Sequence, residues 1–218
     1  MNKISKIENM NKISKIENMN KISKIENLET RPSKEEAEEA VRTILSWIGE
    51  NPNREGLLET PKRFIKAYGE FFKGYNENGE DVLSKTFSDV GGYDDIVLLK
   101  NISFNSFCEH HICPFVGKAH IAYLPSEKIV GISKLARLID IYGHRLQTQE
   151  TMTAQIANAM QKSLKPKGIA IVIDAEHTCM SLRGVKKEGV STITTRFLGE
   201  FETNENLRDR FLRLIEKG

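Results

Sequence analysis

Apolar residues along this chain alternate between two spacings, three-to-four and two, and the switches between them outline its elements. Ser33-Lys34-Glu35-Glu36 has the form of a capping box, and Ala37, Ala40, Val41, Ile44, Leu45 and Ile48 then keep to one helical face until Gly49. Thr60-Pro61 opens a second helix with proline at its start; Phe64, Ile65, Tyr68, Phe71 and Phe72 form its apolar stripe, and Gly74 ends it. Residues 75–93 are polar and glycine-containing and read as a loop. From Asp95 the spacing shortens. Residues 96–104 and 115–123 are rich in β-branched and aromatic side chains and read as strands, the second stopped by Leu124-Pro125-Ser126. The helical spacing then returns twice. A helix capped by Ser133 carries Leu135, Leu138, Ile139 and Tyr142 inward, and another carries Met152, Ile156, Met160 and Leu164 until Pro166 and Gly168. Residues 169–174 are an unbroken apolar run, as in a strand buried on both faces, and residues 190–198 form a threonine-rich strand. Asn204 caps a last helix with Leu207, Phe211, Leu214 and Ile215 inside. Strand pairs flanking a helix pair predict an α+β fold: an antiparallel four-stranded sheet with helices on one face, preceded by a helical segment. Four strands leave edges and an uncovered face, so other subunits are expected to complete the sheet.

Composition narrows the class. Of the 218 residues, 39% are hydrophobic and 28% charged, and no apolar run is long enough to span a membrane. The N-terminus lacks the apolar core of a signal peptide, so a cytoplasmic protein is expected. Three cysteines, an odd number in a chain this long, point to metal ligation rather than disulfides. Residues 1–27 are three perfect copies of Met-Asn-Lys-Ile-Ser-Lys-Ile-Glu-Asn, too short to build a core, and read as a tail produced by duplication rather than as an interaction arm. That tail holds six Lys and three Glu, which leaves the rest of the chain with 26 basic and 27 acidic residues. Such a balance does not suggest a nucleic-acid binder.

The chemistry concentrates in Cys108-Glu109-His110-His111, with a second half far downstream in His177-Thr178-Cys179. Cys108 and His111 have the separation that lets a thiolate and an imidazole reach one metal ion from a turn. The second thiolate is either Cys113 or Cys179 on spacing alone. Three such ligands leave a fourth position open, the arrangement of a catalytic rather than a structural metal site. Imidazoles beyond the ligands are free to move protons. Ser133 and Lys134 begin a helix, with Arg137 one turn on and Arg183 just after the second half-site, a set suited to phosphate oxygens. Glu150, beside Gln149 at the next helix start, has a carboxylate able to accept two hydrogen bonds from a guanine edge. His120 in a strand and His144 at a helix end read as structural.

These motifs, taken in order, closely resemble the GTP cyclohydrolase I family. The matching stretches are Glu59-Thr60-Pro61-Lys62-Arg63, the Cys-Glu-His-His run with Pro114-Phe115-Val116-Gly117, residues 131–137, residues 145–150, and His177-Thr178-Cys179-Met180 with Arg183-Gly184-Val185. The resemblance runs from about Glu35 to the C-terminus and leaves the tail outside. It implies a tunnelling fold, in which strands of five subunits close a barrel and two rings stack into a homodecamer with active sites between subunits. With the repeats and the change of spacing near Asp95, the chain divides into a tail at 1–27, a helical segment at 28–93 and a catalytic domain at 94–218. The resemblance implies a Zn2+ held by Cys108, His111 and Cys179 rather than Cys113, and conversion of GTP to 7,8-dihydroneopterin triphosphate and formate, the first step of pterin and tetrahydrofolate synthesis. By the same resemblance His177 and His110 transfer protons, Ser133 positions the substrate, Glu150 with the Gln149 backbone recognises guanine, and Lys134, Arg137, Arg183, Arg63 and Lys66 hold the triphosphate.

Overall fold

The computed structural model describes residues 31–88 and 92–216; the three nine-residue copies lie outside them. The chain divides between Ile65 and Lys66 into two units. In the first, the predicted capping box opens helix α1 (Lys34–Trp47). The Ser33 hydroxyl accepts the Glu36 N–H at 3.1 Å, and the Glu36 carboxylate accepts the Ser33 N–H at 2.7 Å. Only Val41 of the predicted inner face is buried, whereas Ile44, Trp47 and Ile48 stand exposed. After a 3₁₀ turn at Glu55–Leu57, helix α2 (Thr60–Phe71) begins where Thr60-Pro61 places it and runs into the second unit. Its stripe is half-buried, with Phe71 exposed.

The second unit continues with α3 (Gly79–Leu83), β1 (Thr86–Phe87), β2 (Val97–Cys108), β3 (Pro114–Leu124), β4 (Ile129–Val130), α4 (Ile132–Gly143), β5 (Leu146–Gln147), α5 (Gln149–Leu164), β6 (Gly168–His177), α6 (Thr178–Ser181), β7 (Ser191–Gly199), α7 (Glu200–Thr203) and α8 (Glu205–Glu216). The four predicted strands are all present, and the main sheet has the order β5-β2-β3-β6-β7. The expectation of four strands is therefore corrected to five. The four long strands pair antiparallel, but Leu146 and Gln147 add a parallel edge to the end of β2, opposite Phe107 and Cys108. The segment read as a loop holds α3 and half of a separate two-stranded ladder, β1 with β4. Ser133 is not the cap of α4; Gly131 is, without a side-chain bond.

Helices cover one face of the sheet and, against the expectation of a single covered face, part of the other as well. Ile121, Tyr123, Ile169, Ile171 and Ile173 point into the main core with Leu135 and Leu138 of α4 and Met152 and Ile156 of α5. The alternate positions, Ala122, Leu124, Ala170 and Val172, form a second cluster with Phe201 of α7 and Phe211 of α8. Two faces of opposite parity follow from the period of two along a strand. The first six residues of β6, Gly168 to Ile173, are all buried, as their unbroken apolar run predicts.

Candidate metal centre and active site

The site lies where β2, β5 and β6 end and β3 begins. Cys108 is the last residue of β2 and is buried. The chain reverses there in a tight turn: the Ile112 N–H donates to Cys108 O at 2.9 Å, and the Cys108 N–H donates to Cys113 O at 2.9 Å. Ile112 closes the turn at φ 54°, in the left-handed region that a β-branched residue rarely adopts. Across the turn the Glu109 N–H donates to Gln147 O at 3.0 Å, so β5 fixes the outer side of the motif. Glu109, His110 and His111 are left exposed on the turn.

The second half-site arrives on β6. Ten consecutive pairs join β3 to β6, ending with Phe115 opposite His177. The chain then enters the single turn of α6, and the Thr178 hydroxyl donates to Pro114 O at 2.6 Å. That bond ties Cys179 to the strand that begins beside Cys113.

The two halves meet. Ligand atoms of Cys108, His111 and Cys179 all lie within 4.8 Å of one another, and Cys113 is not one of the group. Cys108 Sγ and His111 Nδ1 are 4.0 Å apart. Burial pushes the Cys179 thiol up, and the neighbouring Cys108 and Cys113 push it further. Thiols crowded in this way oppose each other's ionisation, and a bound cation reverses that opposition, so the donor set fits a metal ion. Two sulfurs and one imidazole suit a borderline-soft divalent ion, and three ligands leave a position open.

The predicted proton-transfer groups stand differently. His177 is half-buried, its ring stacked on Phe115 at 4.5 Å between centroids and 8° between planes. Burial lowers its pKa, and the nearby Glu150 carboxylate partly opposes this. Its Nε2 lies 2.9 Å from Gln149 Oε1. The His110 ring is 6.3 Å from that of His111. Arg183 Nη1 lies 2.7 Å from His111 Nε2, so the guanidinium stands against a candidate metal ligand. The predicted phosphate set is thus brought to the cluster in one member, Arg183. Ser133, Lys134 and Arg137 sit on the first turns of α4, where Ser133 and Arg137 are exposed and Lys134 is half-buried. Among the described residues no hydrogen bond or ion pair joins those three to the cluster. Arg63 and Lys66 are exposed on α2. Glu150 is exposed in the first turn of α5, while the Gln149 side chain, which the sequence left without a part of its own, is buried. His120 is buried in β3, and His144 caps the end of α4 with Nδ1 2.7 Å from Asp140 O. Phe115 under His177 is the other contributor that sequence reasoning missed; its signal is the strand register, which only the pairing reveals.

An α+β chain that converges on two thiols, an imidazole and a shielded second histidine has the makings of a metal-assisted enzyme. The family model for GTP cyclohydrolase I matches residues 37–216, and the chain belongs to that family. GTP cyclohydrolase 1 of Allorhizobium ampelinum is 57% identical over 187 residues, covering 86% of this chain and 93% of that protein. The protein of the same name from Maricaulis maris is 57% identical over 188 residues, with 86% and 92% covered. The Brucella canis protein is 59% identical over 185 residues, with 85% and 87% covered. The apo structure of archaeosine synthase QueF-Like shares a looser likeness, at 15% identity and a TM-score of 0.42, over 49% of this chain and 96% of that one. The chain is an enzyme of this family. Among its described residues no helix is long and apolar enough to cross a membrane.

Proposed function

We propose that this enzyme hydrolyses and rearranges GTP to 7,8-dihydroneopterin triphosphate and formate, opening pterin and tetrahydrofolate synthesis, with Zn2+ on Cys108, His111 and Cys179. The observation that carries the reading is the three-donor cluster, with His177 at the start of the turn that carries Cys179, in a chain of this family. Zinc held by those donors would supply Lewis acidity for the activation of water.

The chain's own residues do the rest. His177 gives a proton to guanine N7, which makes C8 open to attack. Its stacking on Phe115 holds the ring plane while it does so. His110, exposed on the turn, moves protons as the ribose opens, and Ser133 positions the ribose with its hydroxyl. Glu150 accepts the guanine N1–H and exocyclic amine, a donor pair that adenine lacks, with the Gln149 backbone beside it. Lys134, Arg137 and Arg183, with Arg63 and Lys66, hold the triphosphate.

Residues 94–218 form the catalytic domain of a tunnelling fold, residues 28–93 its helical extension, and residues 1–27 the tail. The working form is a homodecamer of two stacked pentamers in the cytoplasm, with the sites between subunits. Ile44, Trp47 and Ile48 exposed on α1, and β7 as an outer strand with Ile193 exposed, support association between copies.

The test is an assay of the purified protein with GTP, with and without a tight zinc chelator, following formate release and the fluorescence of the oxidised pterin. Both products, lost on chelation and restored by zinc, are expected. A zinc-loaded, assembled protein that makes neither would overturn the proposal.

A further inference from the structure

The Gln149 amide sits at the base of the site with almost no exposure, 1%. Its nitrogen is surrounded by acceptors: Ile173 O at 3.0 Å, Thr192 O at 2.8 Å and Thr194 Oγ1 at 3.2 Å. Two of these are backbone carbonyls on β6 and β7, which have no hydrogen to give. Reversing the amide would set its oxygen against both, so the strands themselves decide which way it points.

The hydroxyls agree with that direction. The Thr153 hydroxyl donates to Gln149 O at 2.7 Å, which uses its only hydrogen. The 2.7 Å contact between Thr153 Oγ1 and Thr194 Oγ1 must then be donated by Thr194. Thr194 is left as an acceptor toward the Gln149 nitrogen. The chain of bonds starts and ends on Gln149 and has one consistent polarity.

Gln149 Oε1 therefore faces His177 Nε2, at 2.9 Å, as an acceptor only. Phe115 fixes the plane of the imidazole, and the amide oxygen selects which edge of the ring turns inward. Among the described residues no hydrogen bond is made at His177 Nδ1.

We propose that Gln149 is a positioning residue that locks His177 in the Nε2–H tautomer and leaves Nδ1 as the nitrogen that works on the substrate. Its side chain makes no contact with guanine. A proton taken up or released at Nδ1 leaves the Nε2–H···Oε1 bond in place, so nothing in the strands has to rearrange during turnover. The inference rests on the assignment of His177 to proton transfer.

Two measurements on the zinc-loaded full chain test it. In the first, 15N-histidine spectra of the wild type, with the His177 signals identified by their loss in His177→Ala, are expected to show a protonated Nε2 and a bare Nδ1 in the neutral ring. The opposite tautomer, or an even mixture, overturns the proposal, and this reading needs no folded Gln149 variant. In the second, Gln149→Met, which keeps length and removes the amide, is compared alone and with His177→Ala. Gln149→Met is expected to lower kcat by on the order of tenfold or more, within the about 10²–10⁴ that a positioned proton-transfer group supplies, with KM for GTP unchanged within about twofold. In the His177→Ala background the same change is expected to alter kcat less than about twofold, because its effect passes through the ring. Additive losses, or a raised KM, overturn the proposal by giving Gln149 a direct part in substrate contact. If His177→Ala alone retains full turnover, the proton-transfer role of His177 is what fails, and the wild-type spectrum alone then decides whether Gln149 fixes the tautomer.

Discussion

Gly117 stands on β3 opposite Ala175 of β6, two positions along the strand from Phe115 and His177. A methyl group there would meet Asp174 O at 2.0 Å and the Ala175 Cα and Cβ at 2.7 Å. Real Cβ atoms essentially never come within 3.0 Å of such neighbours, so Gly117→Ala must part the strands locally by about 1.0 Å or more. The obstacle is backbone, which cannot swing aside as a side chain can. Overpacking of this kind costs about 1–3 kcal/mol, and a ladder hydrogen bond lost with it adds about 1 kcal/mol. At about 3 kcal/mol, with a urea slope of about 2 kcal/mol per molar, the unfolding midpoint falls by about 1.5 M at fixed protein concentration. The displacement also reaches His177, and a misplacement of about 1 Å at a reacting group costs about 100-fold in rate. Urea unfolding and kcat for formate release, measured on protein with verified zinc content, check both numbers. A variant with the wild-type midpoint and kcat within twofold would refute the reasoning, because the β3–β6 spacing would then not be what holds His177 in place.

Other outcomes follow from single contacts. Cys113→Ser is expected to keep its full complement of metal after gel filtration, while Cys179→Ser loses it; the reverse would exchange the two thiols as ligands. Thr178→Val removes the 2.6 Å bond to Pro114 O. It is expected to cost about 1 kcal/mol in unfolding and to speed zinc loss to a chelator. Arg210 holds both oxygens of Asp95, at 2.8 and 2.7 Å, and keeps that carboxyl below its usual pKa. A depressed carboxylate stabilises above its unfolded pKa of about 3.9 and loses that contribution as pH falls through its folded value, so the stability difference between wild type and Arg210→Ala should vanish in acid. A difference that widens below that pH contradicts the pairing.

Much of this was legible because the signals are local. The capping box of α1 and the proline start of α2 need only neighbouring residues, and the Cys108 turn announces itself by composition. The fifth strand was not legible, because Leu146 and Gln147 are extended only by virtue of lying beside the end of β2. A two-residue strand has no period of its own. The second covered face had a signal that outran the fold assigned to it: residues 169–174 were already too apolar for a sheet with one wet side. What covers that side, Phe201 and Phe211, sits on helices whose docking depends on distant parity. The buried Gln149 amide could not be read either. Its neighbours Ile173, Thr192 and Thr194 come from strands 24 to 45 residues away in sequence.

The uninterrupted ladder between β3 and β6 bears on how such a gene can vary. Its ten pairs run without a register shift from Leu124 opposite Gly168 to Phe115 opposite His177. Lengthening or shortening the loops that link β3 to β6, between residues 125 and 167, leaves each pair facing its own partner. One residue inserted within β6 would turn His177 to the other side of the sheet and carry Cys179 with it. A change of length in the loops around α4 and α5 therefore leaves the β3–β6 pairing intact, whereas the same change inside either strand reverses the face of every residue beyond it.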